Sequence, residues 1–401
     1  MKHVLSEIIW ALRQPYLLVG ALLLRLGAPL FRKARLSGQY PWVIGGHRGR
    51  MVADNSSELH QYVLTQGAPK IVWIANALLA KSLAAQGIPV LCRTSWKARL
   101  AIFRAPVVIY SHGEDDVDPY AILWRKVLGL RVHLNHSMNH LKTGQFYRKD
   151  IENYGALRMA FFRWTMVDFD LLPASSALEK KHFELSLPHR KDRIEVGGGA
   201  HIDKFLRMRS TPSDGSILWF PTFRDTRLEA AGLDSMIQQI SQNQALRDWL
   251  LRENRTFYIC GHINSSSQAK QVSDNSSPIK FCAPSTILER MAKAEVFISD
   301  YSGLTIDWLA LQRPAIFFPF DLESYQQTRR FYIPYENFHY GPLAKTAEEL
   351  VQTLTLGTWR DQGPWADRRE LYYNSMFPCK EPEYAARTLQ TIFCKLQATY
   401  A

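Results

Sequence analysis

Short apolar runs alternate with longer amphipathic stretches along most of this chain. After Ser37-Gly38 the apolar runs have the length of buried β-strands, and the stretches between them repeat hydrophobic positions at helical spacing. This alternation predicts a parallel sheet with helices on both faces. The first series of predicted strands is Trp42–Gly45, Lys70–Ala75, Ile88–Cys92, Pro106–Tyr110 and Arg131–Leu134. The predicted helices between them are Ser56–Thr65, Leu78–Gln86 and Pro119–Leu128.

A second series of the same kind follows a glycine-containing junction at about 194–211. Its predicted strands are Ser216–Phe220, Thr256–Gly261, Ile279–Cys282, Val296–Ser299 and Ala315–Pro319. Two doubly wound α/β halves that face one another would hold ligands in a central cleft, at the carboxyl ends of the strands. We therefore divide the chain into an N-terminal segment 1–36, domains 37–200 and 201–375, and a C-terminal helix 376–401 that could pack back on the first domain.

The first 36 residues differ from the rest of the chain. An uncharged run at 14–24 lies between Arg13 and Arg25, and the basic stretch Arg32–Arg35 follows it. The run is shorter than the ~20 residues that a membrane-spanning helix needs. Apolar bulk flanked by cations favours a membrane-associating helix that lies on anionic lipid. A helix packed on the protein body is the alternative, and a membrane span ranks third.

Composition narrows the class of protein. Of the 401 residues, 46% are hydrophobic and 21% are charged, which indicates a folded globular chain. The net charge of +12 indicates an anionic partner: a phospholipid, a nucleotide, a phosphate-rich polymer or a nucleic acid. The five cysteines form no CxxC pair and no metal-ligand spacing, which is typical of a reduced cytosolic protein.

Three polar clusters follow predicted strands. Asn135–Gly144 contains His136, Cys260–Asn264 contains His262, and Ser299–Trp308 leads from a strand into a helix. A histidine that titrates near neutral pH can take a proton from a hydroxyl nucleophile, although a lone histidine is more often structural. Backbone N–H groups at the start of the helix could bind phosphate, or Ser302 could simply cap the helix.

Two further motifs have ordinary interpretations. The stretch Gly45–Gly49 follows the first predicted strand but lacks the spacing of a phosphate loop, so we expect a tight turn. The acidic run Glu114–Asp118 has consecutive rather than converging carboxylates, so we expect a solvated loop and not a metal site.

Several of these motifs resemble those of a known family. Ser299–Thr346 is similar to the C-terminal signature of the CDP-glycerol glycerophosphotransferases, the primases and polymerases of teichoic-acid-like polymers. Pro221–Asp225 resembles the PTFRD motif of that family, and Asp54–Leu59 with Val72–Ile74 resembles its N-terminal half. The resemblance covers about residues 40–350. It implies the GT-B architecture, in which two Rossmann-like domains face a central cleft.

The resemblance also implies roles for individual residues. His136 matches the family histidine that is taken as the catalytic base, and His262 matches a second essential histidine near the donor phosphates. Thr222, Ser302 and Asp307 match positions that contact CDP-glycerol. Further donor-binding positions are expected at residues that occupy or flank the same motifs: Asn135, Ser137, His201, Arg224 and Gly303.

Several motif positions depart from the family pattern. Asn135, Ser137, Met138 and Asn139 replace the usual Trp, Gly, Thr and Pro. His201 stands where the family commonly has arginine, Cys260 replaces a basic residue, and Gly303 replaces a serine. Fewer cations weaken charge-assisted contacts with phosphate, so the donor could differ from CDP-glycerol.

The expected function is transfer of glycerol phosphate, or a related polyol phosphate, from a CDP-activated donor to a hydroxyl of a lipid-linked or polymeric cell-surface acceptor. CMP leaves, and neither a metal nor another cofactor is expected. Such a protein would act in teichoic acid or capsule polysaccharide synthesis, as a peripheral protein at the cytoplasmic face of the membrane. Nucleic acid is not an expected partner, because the aromatic platform for single strands is missing.

Two rival functions stay open at this point: a GT-B glycosyltransferase that uses a nucleotide sugar, and a catalytically silent homologue that binds polymer or membrane. The sequence leaves open which polyol is carried, whether one unit or many are added, the acceptor and the oligomeric state.

Overall fold

The computed structural model of the chain forms two compact units. It describes residues 26–138, 140–143, 166–222, 227–261, 277–360 and 363–400, with isolated positions beside them. The first unit consists of the described residues within Met1–Met138, Asp150–Asp203 and Glu381–Ala401. The second unit consists of those within Asn139–Lys149 and Lys204–Lys380.

Each unit is built on a parallel sheet of five strands. The strand order is β3-β2-β1-β4-β5 in the first sheet and β10-β9-β8-β11-β12 in the second, with a separate parallel pair β6-β7. The strands are β1 Trp42–Gly45, β2 Ile71–Ala75, β3 Val90–Cys92, β4 Val107–Tyr110, β5 Leu130–His133, β6 Leu172–Ala174, β7 Ile194–Val196, β8 Ile217–Phe220, β9 Phe257–Cys260, β10 Ile279–Cys282, β11 Val296–Ser299 and β12 Ala315–Phe317. Both five-stranded sheets therefore have the doubly wound order of a Rossmann half.

Most of the helices lie between successive strands in the sequence. Within the described residues they are α1 Ala28–Leu36, α2 Asp54–Gln66, α3 Ala77–Ala85, α4 Trp96–Arg104, α5 Ala121–Trp124, α6 Ala177–Ser186, α7 Ile202–Met208, α8 Arg227–Gln242, α9 Gln244–Arg252, α10 Ile287–Lys293, α11 Leu304–Leu309, α12 Leu322–Thr328, α13 Ala347–Thr355, α14 Pro364–Met376 and α15 Tyr384–Tyr400. Short 3-10 turns lie at His47–Gly49 and Glu114–Asp116.

The predicted α/β class with parallel sheets is confirmed, and all ten predicted strands are found within two residues of their expected bounds. The predicted helix Pro119–Leu128 is shorter than expected. Only α5 is α-helical there, and a 3-10 turn at Arg125–Val127 completes the connection to β5.

Apolar side chains cover both faces of the first sheet. Trp42 and Ile44 of β1 belong to a core on one face, and Val43 between them belongs to a core on the other. Strands that are buried on both faces need continuous rather than alternating apolar sequence, which is what β1 and β2 have. One large core around Trp219 includes residues of β8, β9 and β11 in the second unit.

The helix α15 belongs to the first unit although it follows the whole second unit in sequence. Its residues Leu389 and Ile392 enter the core beside α2. The Asp203 carboxylate accepts hydrogen bonds from the backbone N–H groups of Tyr384 (2.8 Å) and Ala385 (2.9 Å). Asp203 thereby satisfies two donors that a helix start leaves without an intrahelical partner.

The described part of the N-terminal segment is the helix α1. Phe31 stacks on Phe103 with ring centroids 5.5 Å apart, and the buried Arg35 guanidinium donates to the carbonyl of Phe103 at 2.7 Å. Leu26 and Leu30 stay exposed. The helix is therefore attached to the protein body on one side. Within the described residues, no helix has both the length and the apolar character that crossing a bilayer requires.

His60 makes the stability of the first unit depend on pH. Its ring is 3% exposed and lies edge-on to Trp73, with centroids 5.1 Å apart. Burial lowers the pKa of His60 from 6.5 to about 4. Between pH 6.5 and about 4, His60 is protonated in the unfolded chain but not in the folded chain, so the free energy of unfolding falls as pH falls.

We expect His60→Phe to remove about 3 kcal/mol of this loss of stability in acid.

Urea unfolding at several pH values between 7.5 and 4 tests this prediction. His189→Phe is the control, because His189 is exposed and its substitution should leave the pH profile unchanged. Parallel pH profiles for the wild type and His60→Phe would contradict the role of His60.

Candidate active site

Loops at the carboxyl ends of three strands bring histidines together in the first unit. His47 follows β1, His112 follows β4 and His136 follows β5. The His112 ring lies 4.2 Å from the His47 ring and 4.7 Å from the His136 ring, measured between centroids, and it stacks on His136 at 15°. His136 is exposed. The carboxyl ends of parallel strands are where α/β proteins place ligands.

Asp116 organises two of these loops. One carboxylate oxygen accepts the backbone N–H of Arg48 at 2.7 Å, and the other accepts those of Ser111 (3.0 Å) and His112 (2.8 Å). Burial alone would raise the pKa of Asp116, but hydrogen bonds and charge from His112 and the backbone donors lower it to about 2. The carboxylate is therefore charged at neutral pH, where it holds both histidine-bearing loops.

The expected solvated loop at Glu114–Asp118 is therefore wrong. Glu114, Asp116 and Asp118 are buried, and the Glu114 carboxylate pairs with Arg125 at 3.2 Å. Carboxylates enter this interior because backbone N–H groups and arginines compensate the loss of water. The signal that could have revealed this role is the position of the acidic run directly after a buried strand.

Strained backbone marks the same loops. His47, Arg48, Asp54 and Asn135 have positive φ angles of 49° to 60°. The predicted tight turn at Gly45–Gly49 is confirmed, as the 3-10 turn His47–Gly49. Non-glycine residues in this conformation are uncommon and cluster at functional sites.

Asp54, at the start of α2, faces the histidines. Its Oδ2 atom lies 2.6 Å from Nε2 of His47. Burial alone would raise the pKa of the Asp54 carboxyl, but its hydrogen bond to His47 and the charges of His47, His136 and His112 lower it.

Asn55 joins the loop after β5 to the turn before α7. Its amide nitrogen donates to the carbonyls of Leu134 (3.1 Å) and Asn135 (3.0 Å). Its amide oxygen accepts the backbone N–H of His201 at 2.9 Å and lies 2.7 Å from Nδ1 of the same residue. Three expected donor-binding residues, Asn135, Ser137 and His201, thus line one small pocket with Asn55. Asn135 and His201 are buried there, so their main visible role is to shape the loop that carries His136.

The second unit has its own polar network, centred on Asp300 after β11. The Asp300 carboxylate accepts hydrogen bonds from the Thr222 backbone N–H (3.0 Å), the Thr222 hydroxyl (2.5 Å) and the Tyr301 backbone N–H (2.6 Å). Thr222 follows β8, the neighbour of β11 in the sheet. Asp300 therefore fixes one expected donor-binding residue at the carboxyl end of this sheet.

Arg224 completes this network from inside. Its side chain is 0% exposed and pairs with Asp300 at 2.9 Å and with Asp321 at 2.7 Å. The guanidinium also lies over the Tyr301 and Tyr325 rings, at 5.2 and 5.1 Å from their centroids. Its groups are occupied by these partners, so Arg224 positions the Thr222 loop. A direct contact of Arg224 with a donor stays a prediction.

The remaining predicted residues of this cluster follow Asp300. The Ser302 hydroxyl accepts the Leu304 N–H at 3.2 Å, and Gly303 is the N-cap residue of the short helix α11. Ser302 lies one residue before the N-cap, so it is not the N-cap residue that the structural interpretation expected, although its hydroxyl accepts the first N–H of the helix. Asp307 is 3% exposed and lies in α11. A contact of Ser302, Gly303 or Asp307 with a donor stays a prediction.

The second predicted histidine, His262, lies outside the described residues.

Sequence reasoning missed Lys142 as a candidate. Lys142 forms a bridge with Phe331 and belongs to the second unit. Burial and the neighbouring Arg329 and Arg224 lower the pKa of Lys142 to about 8, and Asp300 opposes this shift. Lys142 thus supplies a cation near the Asp300 network. Its position inside the polar stretch after His136 was the available signal.

Two Rossmann-type sheets, each with a polar cluster after its strands, define an α/β protein of the double-Rossmann class. Residues 45–394 match the family described as CDP-Glycerol:Poly(glycerophosphate) glycerophosphotransferase. The chain therefore belongs to this family of transferases, which confirms the resemblance found in the sequence.

Named relatives come from the same family of enzymes. The chain is 27% identical to a teichoic acid poly(glycerol phosphate) polymerase of Bacillus spizizenii over 49% of this chain and 46% of the relative. It is 20% identical to a teichoic acid glycerol-phosphate transferase of Staphylococcus aureus over 86% and 90% of the two chains. It thus spans less than half the length of the polymerase but most of the transferase.

Solved structures support the fold. The wall teichoic acid polymerase TagF superposes with a TM-score of 0.66 at 15% identity, over 98% of this chain and 99% of that chain. A putative UDP-N-acetylglucosamine 2-epimerase from Listeria monocytogenes superposes with a TM-score of 0.57 at 14% identity, over 90% and 97%. At these identities the likeness concerns the fold alone.

The Asp300–Arg224 pair should dominate the stability of the second unit. Asp300→Ala leaves the enclosed guanidinium with fewer partners and removes the acceptor of the Thr222 N–H. We expect a loss of about 3–5 kcal/mol in the free energy of unfolding, measured by urea denaturation. The control Asp248→Ala removes an exposed carboxylate of α9 and should change stability by less than about 0.5 kcal/mol. If both substitutions lowered the free energy of unfolding equally, the buried pair would not have the proposed importance for stability.

Proposed function

We propose that the chain transfers glycerol phosphate, or a related polyol phosphate, from a CDP-activated donor to a hydroxyl of a teichoic-acid-like acceptor. The observation that carries this proposal is the family match over 45–394, which includes the loops of His136, Thr222 and Asp300. A structure of TagF obtained after soaking with CDPG supports a CDP-linked donor. Relatives named for glycerol phosphate and for ribitol phosphate leave the polyol open.

His136 is proposed as the general base. The acceptor hydroxyl loses its proton to the His136 imidazole while its oxygen attacks the polyol-bearing β-phosphorus of the donor. The bond from that phosphorus to the bridging oxygen breaks, and CMP leaves with the electron pair. The exposed, stacked ring of His136 supports this role, because it is open to a substrate and held in orientation by His112.

The donor phosphates are proposed to lie near Thr222, Ser302 and Gly303. Lys142 is a cation in this region that can offset the negative charge of the breaking diphosphate. His262 is proposed to stabilise the same charge, as its matched position in the family implies. Most of the rate acceleration would come from positioning and electrostatics, as is general for phosphoryl transfer.

Turnover of CDP donors tests this function. Purified chain with CDP-glycerol or CDP-ribitol and a teichoic acid primer should release CMP, measured by ion-exchange chromatography. His136→Ala should lower the rate by at least ~10²-fold, because the hydroxyl nucleophile loses its base. His189→Ala is the matched control and should retain the wild-type rate.

The alternatives give different results in the same assay. UDP release from UDP-sugars, without CMP release, would identify a glycosyltransferase. An absence of turnover with every donor, despite binding of polymer, would identify a silent homologue. Wild-type turnover by His136→Ala would remove the base from the mechanism.

We also propose that the N-terminal segment 1–36 places the protein on the cytoplasmic face of the membrane. The described helix α1 supports this, since Leu26 and Leu30 are exposed beside Arg32 and Lys33. A lipid-linked acceptor would then be within reach.

Liposome binding tests the membrane proposal. Vesicles with anionic lipid should bind the protein in sedimentation assays, and binding should weaken as salt rises because surface charges are screened. Removal of residues 1–27 keeps Phe31 and Arg35 in place and should lower binding strongly. Substitution of Arg32 and Lys33 by Gln should weaken binding to anionic vesicles and leave binding to neutral vesicles unchanged. Full binding by the truncated chain would contradict the proposal.

A further inference from the structure

We propose that His47, Asp54 and His112 form a binding site for a divalent transition-metal ion in the first unit. One potential ligand atom from each of the three side chains lies within 4.8 Å of the other two. An ion bound at about 2.1 Å from each ligand atom would set these atoms about 3.0–3.4 Å apart. The His47 Nε2 and Asp54 Oδ2 atoms lie 2.6 Å apart and would have to separate slightly to hold an ion between them.

The donor set selects the kind of ion. Two imidazole nitrogens and one carboxylate oxygen are typical ligands of Zn²⁺, Co²⁺ or Fe²⁺, whereas Mg²⁺ and Ca²⁺ prefer oxygen. Three protein ligands also leave a coordination position open for water or an oxyanion. All three side chains are partly exposed, so an ion can enter from solvent.

The buried Asp116 preorganises two of the proposed ligands. Asp116 accepts the backbone N–H of Arg48, next to His47, and that of His112 itself. Its Oδ2 atom also lies 3.8 Å from Nδ1 of His112. A carboxylate behind a histidine commonly orients the ring for metal binding. Asp116 therefore fixes the spacing of two ligands that are distant in sequence.

A simple ion pair explains less of this geometry. A bond between His47 and Asp54 requires only those two side chains. It does not require His112 to lie against the His47 ring, or His47 and Asp54 both to adopt left-handed backbone conformations. Metal binding accounts for the convergence of all three, and it goes beyond the transfer reaction proposed above.

Calorimetry provides the test. The full chain, stripped with EDTA and titrated with Zn²⁺ without donor or acceptor, should bind one ion with a Kd below ~10 µM. Co²⁺ should bind at the same site and give a visible ligand-field absorption. His47→Gln and Asp54→Asn should each weaken Zn²⁺ binding more than ~10²-fold, as expected for loss of a direct ligand.

Asp116→Asn and Asp115→Asn form a matched pair. Asp116→Asn should weaken Zn²⁺ binding by about 10–100-fold, because it disturbs the orientation of the histidines. Asp115→Asn removes the same charge from the same turn, yet its carboxylate pairs with Arg48 at the surface. Its effect should stay below about fivefold. If both variants weakened Zn²⁺ binding equally, the binding would reflect only the negative charge of this turn, and the proposal would be overturned.

A measurement on the wild-type protein tests the same site even if some of the variants fail to fold. Zn²⁺ should protect His47 and His112 from modification by diethylpyrocarbonate, mapped by mass spectrometry, while the exposed His189 stays reactive. Unprotected His47 and His112 at saturating Zn²⁺ would overturn the proposal. Because no donor is present, this outcome is independent of whether His136→Ala abolishes transfer.

Discussion

The first unit depends on a buried carboxylate that accepts backbone hydrogen bonds from two separate loops. Asp116 holds the backbone at Arg48 and at His112, and these loops follow two neighbouring strands of the sheet. Loops at the end of a sheet have few ladder hydrogen bonds, so their backbone groups need other partners. A single charged acceptor satisfies three such donors and determines where the histidine side chains lie.

The second unit solves the same problem with Asp300. That carboxylate accepts the N–H groups of Thr222 and Tyr301, again between adjacent strands, but it also carries the charge of Arg224. Asn55 has the corresponding task for the turn at His201, with an uncharged amide. Each polar cluster is thus supported by an enclosed side chain that bonds to backbone groups. Such support keeps the reactive groups in place without the entropy cost of ordering them on binding.

The strands could be predicted from sequence because buried parallel strands require uninterrupted apolar runs, as β1 and β11 have. The pair β6-β7 was not predicted, because Pro173 interrupts the apolar run of β6 and Glu195 interrupts that of β7. His136 could be singled out because it follows a strand. His112 and Asp116 also follow a strand, but their contacts could not be predicted, because these depend on strand order in the sheet rather than on local sequence. The family resemblance supplied roles, but it did not indicate that Arg224 would be enclosed.

The seating of α15 on the first unit has a consequence for biosynthesis. The hydrogen bond from Tyr384 to Asp203 joins residues 181 positions apart, and Leu389 and Ile392 belong to the core beside α2. A nascent chain emerges from the ribosome in order, so the entire second unit is synthesised before this helix can dock. Until then the core beside α2 lacks the apolar side chains that α15 contributes. The second unit is nearly continuous in sequence. It can therefore complete its core before the first unit does, although the first unit begins earlier in the chain.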